Sequence, residues 1–292
     1  PNYYTTTRSN TSGQVLPTIA LKTNWPFVRT FEHGRGSQLI EPIVQAIYAP
    51  NTGAGANNFM PNEDSLAYEF TDSTLFSLNR YQGTDRLDGG LRGNVGVHAN
   101  WTWDGHEVDL LAGESFQEHI THDRLPYSGL DHTASDIVMR GRVSPNQYFN
   151  FTARMRLDPY TTKVNFGDAL FSAGVRHFRI RGGYVYEPVT PYYYYVSNYR
   201  SNGPVPLYSQ KTNELSGGVS SDWDNWHVSA FARRSLSRKE FVSLGGDLGY
   251  NNDCFGIDVM YLKQYTTIGG QQRNSSVLFT VSLKTLGSFG LK

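Results

Sequence analysis

Apolar and polar residues alternate along thirteen stretches of the chain, and short runs rich in Gly, Asn and Asp separate most of them. The stretch from Phe149 to Asp158 is the clearest. Phe149, Phe151, Ala153, Met155 and Leu157 fall on one side, and Asn150, Thr152, Arg154, Arg156 and Asp158 fall on the other. Successive side chains of a strand point to opposite faces, so one face here is apolar and the other polar. The pattern predicts strands at 14–25, 37–48, 90–103, 106–116, 134–143, 147–157, 160–172, 176–187, 207–221, 226–235, 240–250, 254–264 and 275–286. Residues 1–13 read as a coil lead-in, and 14–292 as one all-β unit with a long connection over 49–89.

The connections sort by length. Counted in order, the even-numbered ones include all the longest, and most odd-numbered ones are tight, such as Asp104-Gly105 and Asn251-Asn252-Asp253. The first, 26–36, breaks the rule. Outer-membrane barrels have short turns on the periplasmic side and longer loops outside, whereas a soluble sandwich has no reason to sort its loops. Trp101 and Trp103 lie at a strand end, where an aromatic girdle would sit. The expected fold is an antiparallel transmembrane β-barrel, as the C-terminal portion of about 13 strands from a larger, even-stranded barrel. An odd count means either one strand misplaced or strands missing upstream of Pro1. With both ends on the periplasmic side, the tight turns are periplasmic.

Composition narrows the function. The 292 residues carry 26 Lys+Arg and 26 Asp+Glu, a formal net charge of zero, which gives no electrostatic case for nucleic acid. Aromatics reach 14%, with 19 Tyr and 16 Phe, in keeping with a surface whose rings are half apolar and half wet. No apolar run approaches the roughly 18 residues of a membrane helix, which says nothing against a barrel. The sequence holds no nucleophile elbow, phosphate loop, metal spacing or cofactor motif. Parity places Asn94, His98, Asn100, Arg154 and Arg156 on the polar, lumen-facing side. The mixed-charge segment, with Glu63, Asp64, Asp72, Asp85 and Asp88 against Arg80, Arg86 and Arg92, reads either as a solvated loop or as a loop folded inward and pinned by carboxylate–guanidinium bonds. At this level a lipid-facing barrel, a porin or transporter, and a secreted sugar-binding β domain all remain open.

One stretch adds more. It runs Glu41-Pro42-Ile43-Val44-Gln45, Tyr48-Ala49-Pro50, Pro61-Asn62-Glu63-Asp64-Ser65, Leu75-Phe76, Asn79-Arg80, Gly83, Asp85-Arg86, Gly89-Gly90 and Arg92. This combination of fixed spacings resembles the barrel domain of the LptD family of lipopolysaccharide-assembly proteins. The region from Gly246 to Tyr261 and from Phe279 to Gly287 is also similar to that family's C-terminal strands. The resemblance implies a non-enzymatic machine in the Gram-negative outer membrane that inserts lipopolysaccharide into the outer leaflet. A general porin or substrate-specific transporter is the alternative. The resemblance further implies an LptE-like plug lipoprotein and an LptA-like periplasmic bridge as partners, with outer-membrane lipid around the wall. It implies a lateral seam on the last strand, at Val277, Phe279, Val281 and Leu283. It also implies a possible interdomain disulfide at Cys254, where the family's better-known version has two adjacent cysteines and this chain has Asp253 beside one.

Overall fold

The computed structural model describes residues 15–31, 34–50, 69–81, 83, 87–118, 127–189, 211–265, 274–284 and 287–291. Fifteen strands form one antiparallel sheet: β1 (Ile19–Asn24), β2 (Phe27–Phe31), β3 (Gly36–Ala49), β4 (Gly90–Trp103), β5 (His106–Gln117), β6 (Ile137–Asn146), β7 (Phe149–Leu157), β8 (Val164–Val175), β9 (Phe178–Glu187), β10 (Thr212–Trp223), β11 (Trp226–Ser235), β12 (Glu240–Asn251), β13 (Phe255–Gln264), β14 (Asn274–Leu283) and β15 (Gly287–Leu291). From β3 onward each strand pairs with its neighbour in sequence, β1 and β2 both pair with β3, and among the described residues the sheet does not close on itself.

Two expected boundaries are corrected. β1 and β2 lie on the same edge of β3 in one unbroken register, from Ile19 opposite Tyr48 to Phe31 opposite Gly36. They are one stave interrupted at Trp25 and Pro26. The Trp25 amide still donates to the Pro42 carbonyl (3.1 Å), but neither Pro26 nor Pro42 has an N–H to give to the ladder. The first connection therefore shrinks from 26–36 to 32–35 and stops being an exception. At the other end, β14 stops at Leu283, and β15 pairs with its second half, from Leu283 opposite Gly287 to Phe279 opposite Leu291. The stave at 275–286 is not the last one. With β1 and β2 counted together there are fourteen staves, not thirteen.

The corrections complete the sorting of connections. The strand ends that flank residues 32–35, 104–105, 147–148, 176–177, 224–225, 252–254 and 284–286 lie on one rim. The strand ends that flank 50–89, 118–136, 158–163, 188–211, 236–239 and 265–273 lie on the other. β15 leads away from the tight-turn rim, so orientation rests on connection lengths and not on where the chain ends.

The strand pleat gives two faces. Arg92, Asn94, His98 and Asn100 of β4 point to the inner face, which segments 69–81, 87–89 and 127–136 partly cover. Val95 and Val97 point outward and are 40% and 46% exposed, as are apolar side chains of like position on β5 to β14, including Leu110, Met139 and Phe279. The outer face near the tight-turn rim carries packed rings: Trp226 with Tyr250 (4.9 Å between centroids) and Tyr250 with Phe255 (5.7 Å).

Candidate functional site

All five lumen residues expected from parity do face inward. Asn94 is fully buried in a chain of side-chain bonds. Its Nδ2 donates to Gln45 Oε1 (2.8 Å), and Ser115 Oγ donates to its Oδ1 (2.7 Å). His98 Nε2 lies 2.6 Å from Asp109 Oδ2, and its Nδ1 lies 3.6 Å from Glu41 Oε2. Asn100 donates to Glu107 (3.3 Å) and Asp109 (3.4 Å). Arg154 meets Asp168 through two bonds, at 2.9 and 2.7 Å. Arg156 is buried and donates to the carbonyls of Phe70, Ser128 and Tyr127, while its Nε sits 3.2 Å from Asp136.

The mixed-charge segment is folded inward. Phe70 and Leu75 of the 69–81 segment pack with Leu130 and Val138 into a small buried core, with Phe76 and Tyr81 against it. Two facing glycines of the wall, Gly96 on β4 and Gly113 on β5, make the seat. A Cβ at Gly113 would lie 2.5 Å from the Leu75 side chain, and one at Gly96 would lie 3.0 Å from the Phe76 ring. Glycine is required here because the loop comes closer to the backbone than any side chain would allow.

Charges then fix the segment. Arg80 and Asp88 are buried, and Arg80 Nε donates to Asp88 Oδ2 at 2.5 Å while Nη1 reaches Ser115 Oγ at 3.1 Å. Arg92 Nη1 sits 2.9 Å from the same Asp88 Oδ2, and Arg92 donates to the backbone carbonyls of Ser77, Leu78 and Asp88. Arg140 on β6 bridges Asp72 of the segment (3.1 Å) and Asp109 of the wall (2.8 Å). Buried ion pairs of this kind specify one geometry more than they add stability, because desolvation offsets their attraction. The second covering segment supplies Asp136. Burial pushes its carboxyl above the ordinary range, against the pull of the Asn165 amide (2.9 Å) and of Arg156. Burial likewise raises Glu69, opposed by Arg156 at 3.9 Å.

Some expected residues do not enter this picture. Pro61, Asn62, Glu63, Asp64, Ser65, Asp85 and Arg86 lie outside the described residues. Glu41 points inward and its Oε1 accepts from Asn24 (2.9 Å); Pro42 faces outward. The Asn79 side chain accepts the Tyr81 amide (3.3 Å). Cys254 is an exposed thiol in the 252–254 turn, on the tight-turn rim. Val277, Phe279, Val281 and Leu283 face outward on β14, one stave short of the sheet edge. Ser115, Asp136 and Arg140 were not singled out from the sequence. Parity puts Ser115 and Arg140 on the inner face, but nothing local marks their long-range partners.

The described residues leave the inner wall beyond β7 open. A cavity of about 650 Å³ is lined by Asn150, Thr152, Ser216, Ser229, Arg181 and Arg233, among others. Glu214 holds Arg233 at 3.1 Å. Polar staves, a pinned inward segment and an apolar outer wall are therefore combined in one open sheet.

Comparison with known proteins decides the family. The family model described as LPS transport system D matches residues 1–226, which include the whole pinned segment and its seat. The chain belongs to the LptD family. Among its relatives, an LPS-assembly protein LptD of Nitrosococcus oceani is 24% identical over 290 residues, covering 96% of this chain and 36% of that protein. One from Coxiella burnetii is 23% identical, covering 97% of this chain and 34% of that protein. The chain thus spans about a third of the length of these LptD proteins. A triple mutant of the Rh. blastica porin aligns over 94% of this chain at 8% identity, with a TM-score of 0.37, too low to carry weight.

Proposed function

We propose that this chain is part of an outer-membrane barrel that moves lipopolysaccharide from the periplasm and inserts it into the outer leaflet. The pinned inward segment is the observation that carries the reading. A passive porin needs an open, hydrated lumen, whereas here the inner face from β3 to β7 is covered by a segment held on the Phe70–Leu75–Leu130–Val138 core and three buried arginines. The cargo is amphiphilic. Its glycan suits the polar inner face beyond β7, and its acyl chains leave sideways through a strand seam into the lipid that the apolar outer face meets. No step here requires catalysis.

Arg154 and Arg156 hold the wall and the covering segments together in this reading, since both guanidiniums are taken up by protein partners. The seam through which tails leave lies at the β14–β15 end, with Val277 and Phe279 presenting its apolar flank. An LptE-like lipoprotein would occupy the open part of the lumen, and an LptA-like bridge would deliver cargo at the tight-turn rim. Cys254 stands at that rim and is placed to bridge an upstream periplasmic domain. Thiol titration of the nonreduced full-length protein is expected to find no free Cys254, and a reactive thiol there would exclude the bridge.

Depletion of the full-length protein in its source bacterium tests the function itself. The expected result is loss of surface lipopolysaccharide, with modified precursor building up inside. Unchanged surface lipopolysaccharide would overturn the export reading in favour of a porin or transporter.

A further inference from the structure

The outer wall carries a feature that export through the lumen does not use. A groove of about 450 Å³ crosses the outer face of β7 to β12. Its floor is Gly182, Gly217 and Ala232, which stand side by side on β9, β10 and β11. Phe151 and Phe171 flank it toward β7, and Leu215 and Phe241 flank it toward β12. The floor is deep because two neighbouring staves have no side chain there. The Phe171 ring leans over Gly182, where a Cβ would meet it at 2.1 Å, but over Gly217 a Cβ would meet nothing within 4 Å. The open length and apolar walls suit an extended hydrocarbon chain.

The end of the groove nearer the long-connection rim is cationic. Arg234, next to last on β11, lies 5.6 Å from the Phe241 ring. The Arg233/Arg234 register shift sets Phe241 opposite Arg234 on the outer side. Phe241 in turn meets Tyr265 (6.2 Å), and Lys263 lies 4.9 Å from the Tyr265 ring. Two cations thus bracket two rings, and among the described residues neither has a carboxylate partner. Lys211 over Tyr186 (5.3 Å) repeats the pairing at the long-connection end of β9 and β10, the staves that carry Gly182 and Gly217. Among the described residues, cation–ring pairs of the outer face occur only toward this rim; near the tight-turn rim the rings pack on one another. An unpaired guanidinium beside hydrocarbon is costly unless an anion meets it, and phosphate matches its fork.

We propose that the groove and the Arg234–Phe241–Tyr265–Lys263 row bind one resident lipid with a phosphorylated head group, a diphosphorylated lipid A of the leaflet at the long-connection rim. One acyl chain fills the groove over Gly217, and the phosphates meet Arg234 and Lys263. The lipid belongs to the wall and is not cargo in transit. The proposal rests on the reading of the outer face as lipid-facing.

Full-length protein purified in detergent is titrated with diphosphorylated lipid A, and bound lipid is read by native mass spectrometry. Arg234→Gln is expected to weaken binding about tenfold, the scale of one lost charge-assisted contact, and Arg234→Gln with Lys263→Gln about a hundredfold. Gly217→Leu fills the open groove and is expected to match Arg234→Gln alone, while Arg234→Lys retains most of the binding. Heat-modified mobility on gels confirms that each variant is folded. Lipid A stripped of phosphate is expected to bind weakly to the unaltered protein. Equal binding of the stripped lipid would overturn the proposal. So would unchanged binding by the outer-face variants with loss in Arg181→Gln, which would place the lipid inside the lumen. Surface lipopolysaccharide in a depleted strain judges export separately, so a failure of that reading leaves the titration to decide this site.

Discussion

Replacing Arg80 with methionine is expected to release the inward segment from the wall. Arg80 is 1% exposed and holds Asp88 through Nε and Nη2 and Ser115 through Nη1. Methionine keeps much of the side-chain length and removes the charge. It leaves Asp88 with an unbalanced share of negative charge, although Arg92 still lies 2.9 Å away. Breaking one partner of a buried pair costs about 3–5 kcal/mol, because the remaining charge has lost the partner that offset its desolvation. That is enough to open a segment whose apolar anchor is four buried side chains. Hydrogen exchange should then show lost protection at 69–81 and 127–136, with β8 to β13 unchanged. Retained protection in 69–81 would mean that the glycine seat, and not the ion pairs, holds the segment. Arg80→Lys keeps the charge but not the fork, and is expected to fall between the two.

Phe151→Arg is the second large effect. Phe151 is the third residue of β7, between Val143 and Phe171 on the outer face. An arginine on the lipid face of a barrel wall costs about 2–4 kcal/mol at the midplane and less toward the interface, so about 2 kcal/mol is expected here. The urea midpoint for folding of the full-length protein into liposomes should fall accordingly. Thr152→Arg is the matched control: one residue along, it points into the inner cavity and should fold almost as the unaltered protein does. Equal behaviour of the two variants would show that the faces are wrongly assigned or that the outer wall does not meet lipid.

The two boundary errors have physical causes. β2 is five residues long with Pro26 just before it and Arg29 on its outer face, so it lacks an apolar row of its own and is held by its register with β3. β15 reads Gly-Ser-Phe-Gly-Leu, with two glycines and one clear apolar pair, too little alternation to mark a strand. Both exist because an adjacent stave offers unpaired backbone groups, and that template is absent from any local window.

Sidedness was legible in the chain alone, because a strand's period is two and every residue of a stave takes its face from its parity. That rule placed Asn94, His98, Asn100, Arg154 and Arg156 inside and Phe151 and Val277 outside. Connection lengths likewise separated the two rims before any pairing was known. The partners were decided only by the tertiary structure. Arg156 meets Phe70 across 86 positions and Arg140 meets Asp72 across 68, and such separations leave no trace in spacing. Arg154 and Arg156 are tied up by Asp168, Asp136 and backbone carbonyls, while Arg181 on the same inner face lines the open cavity. Alternation says which side of the wall a side chain occupies; only the path of the loops across that wall says whether anything is already there to meet it.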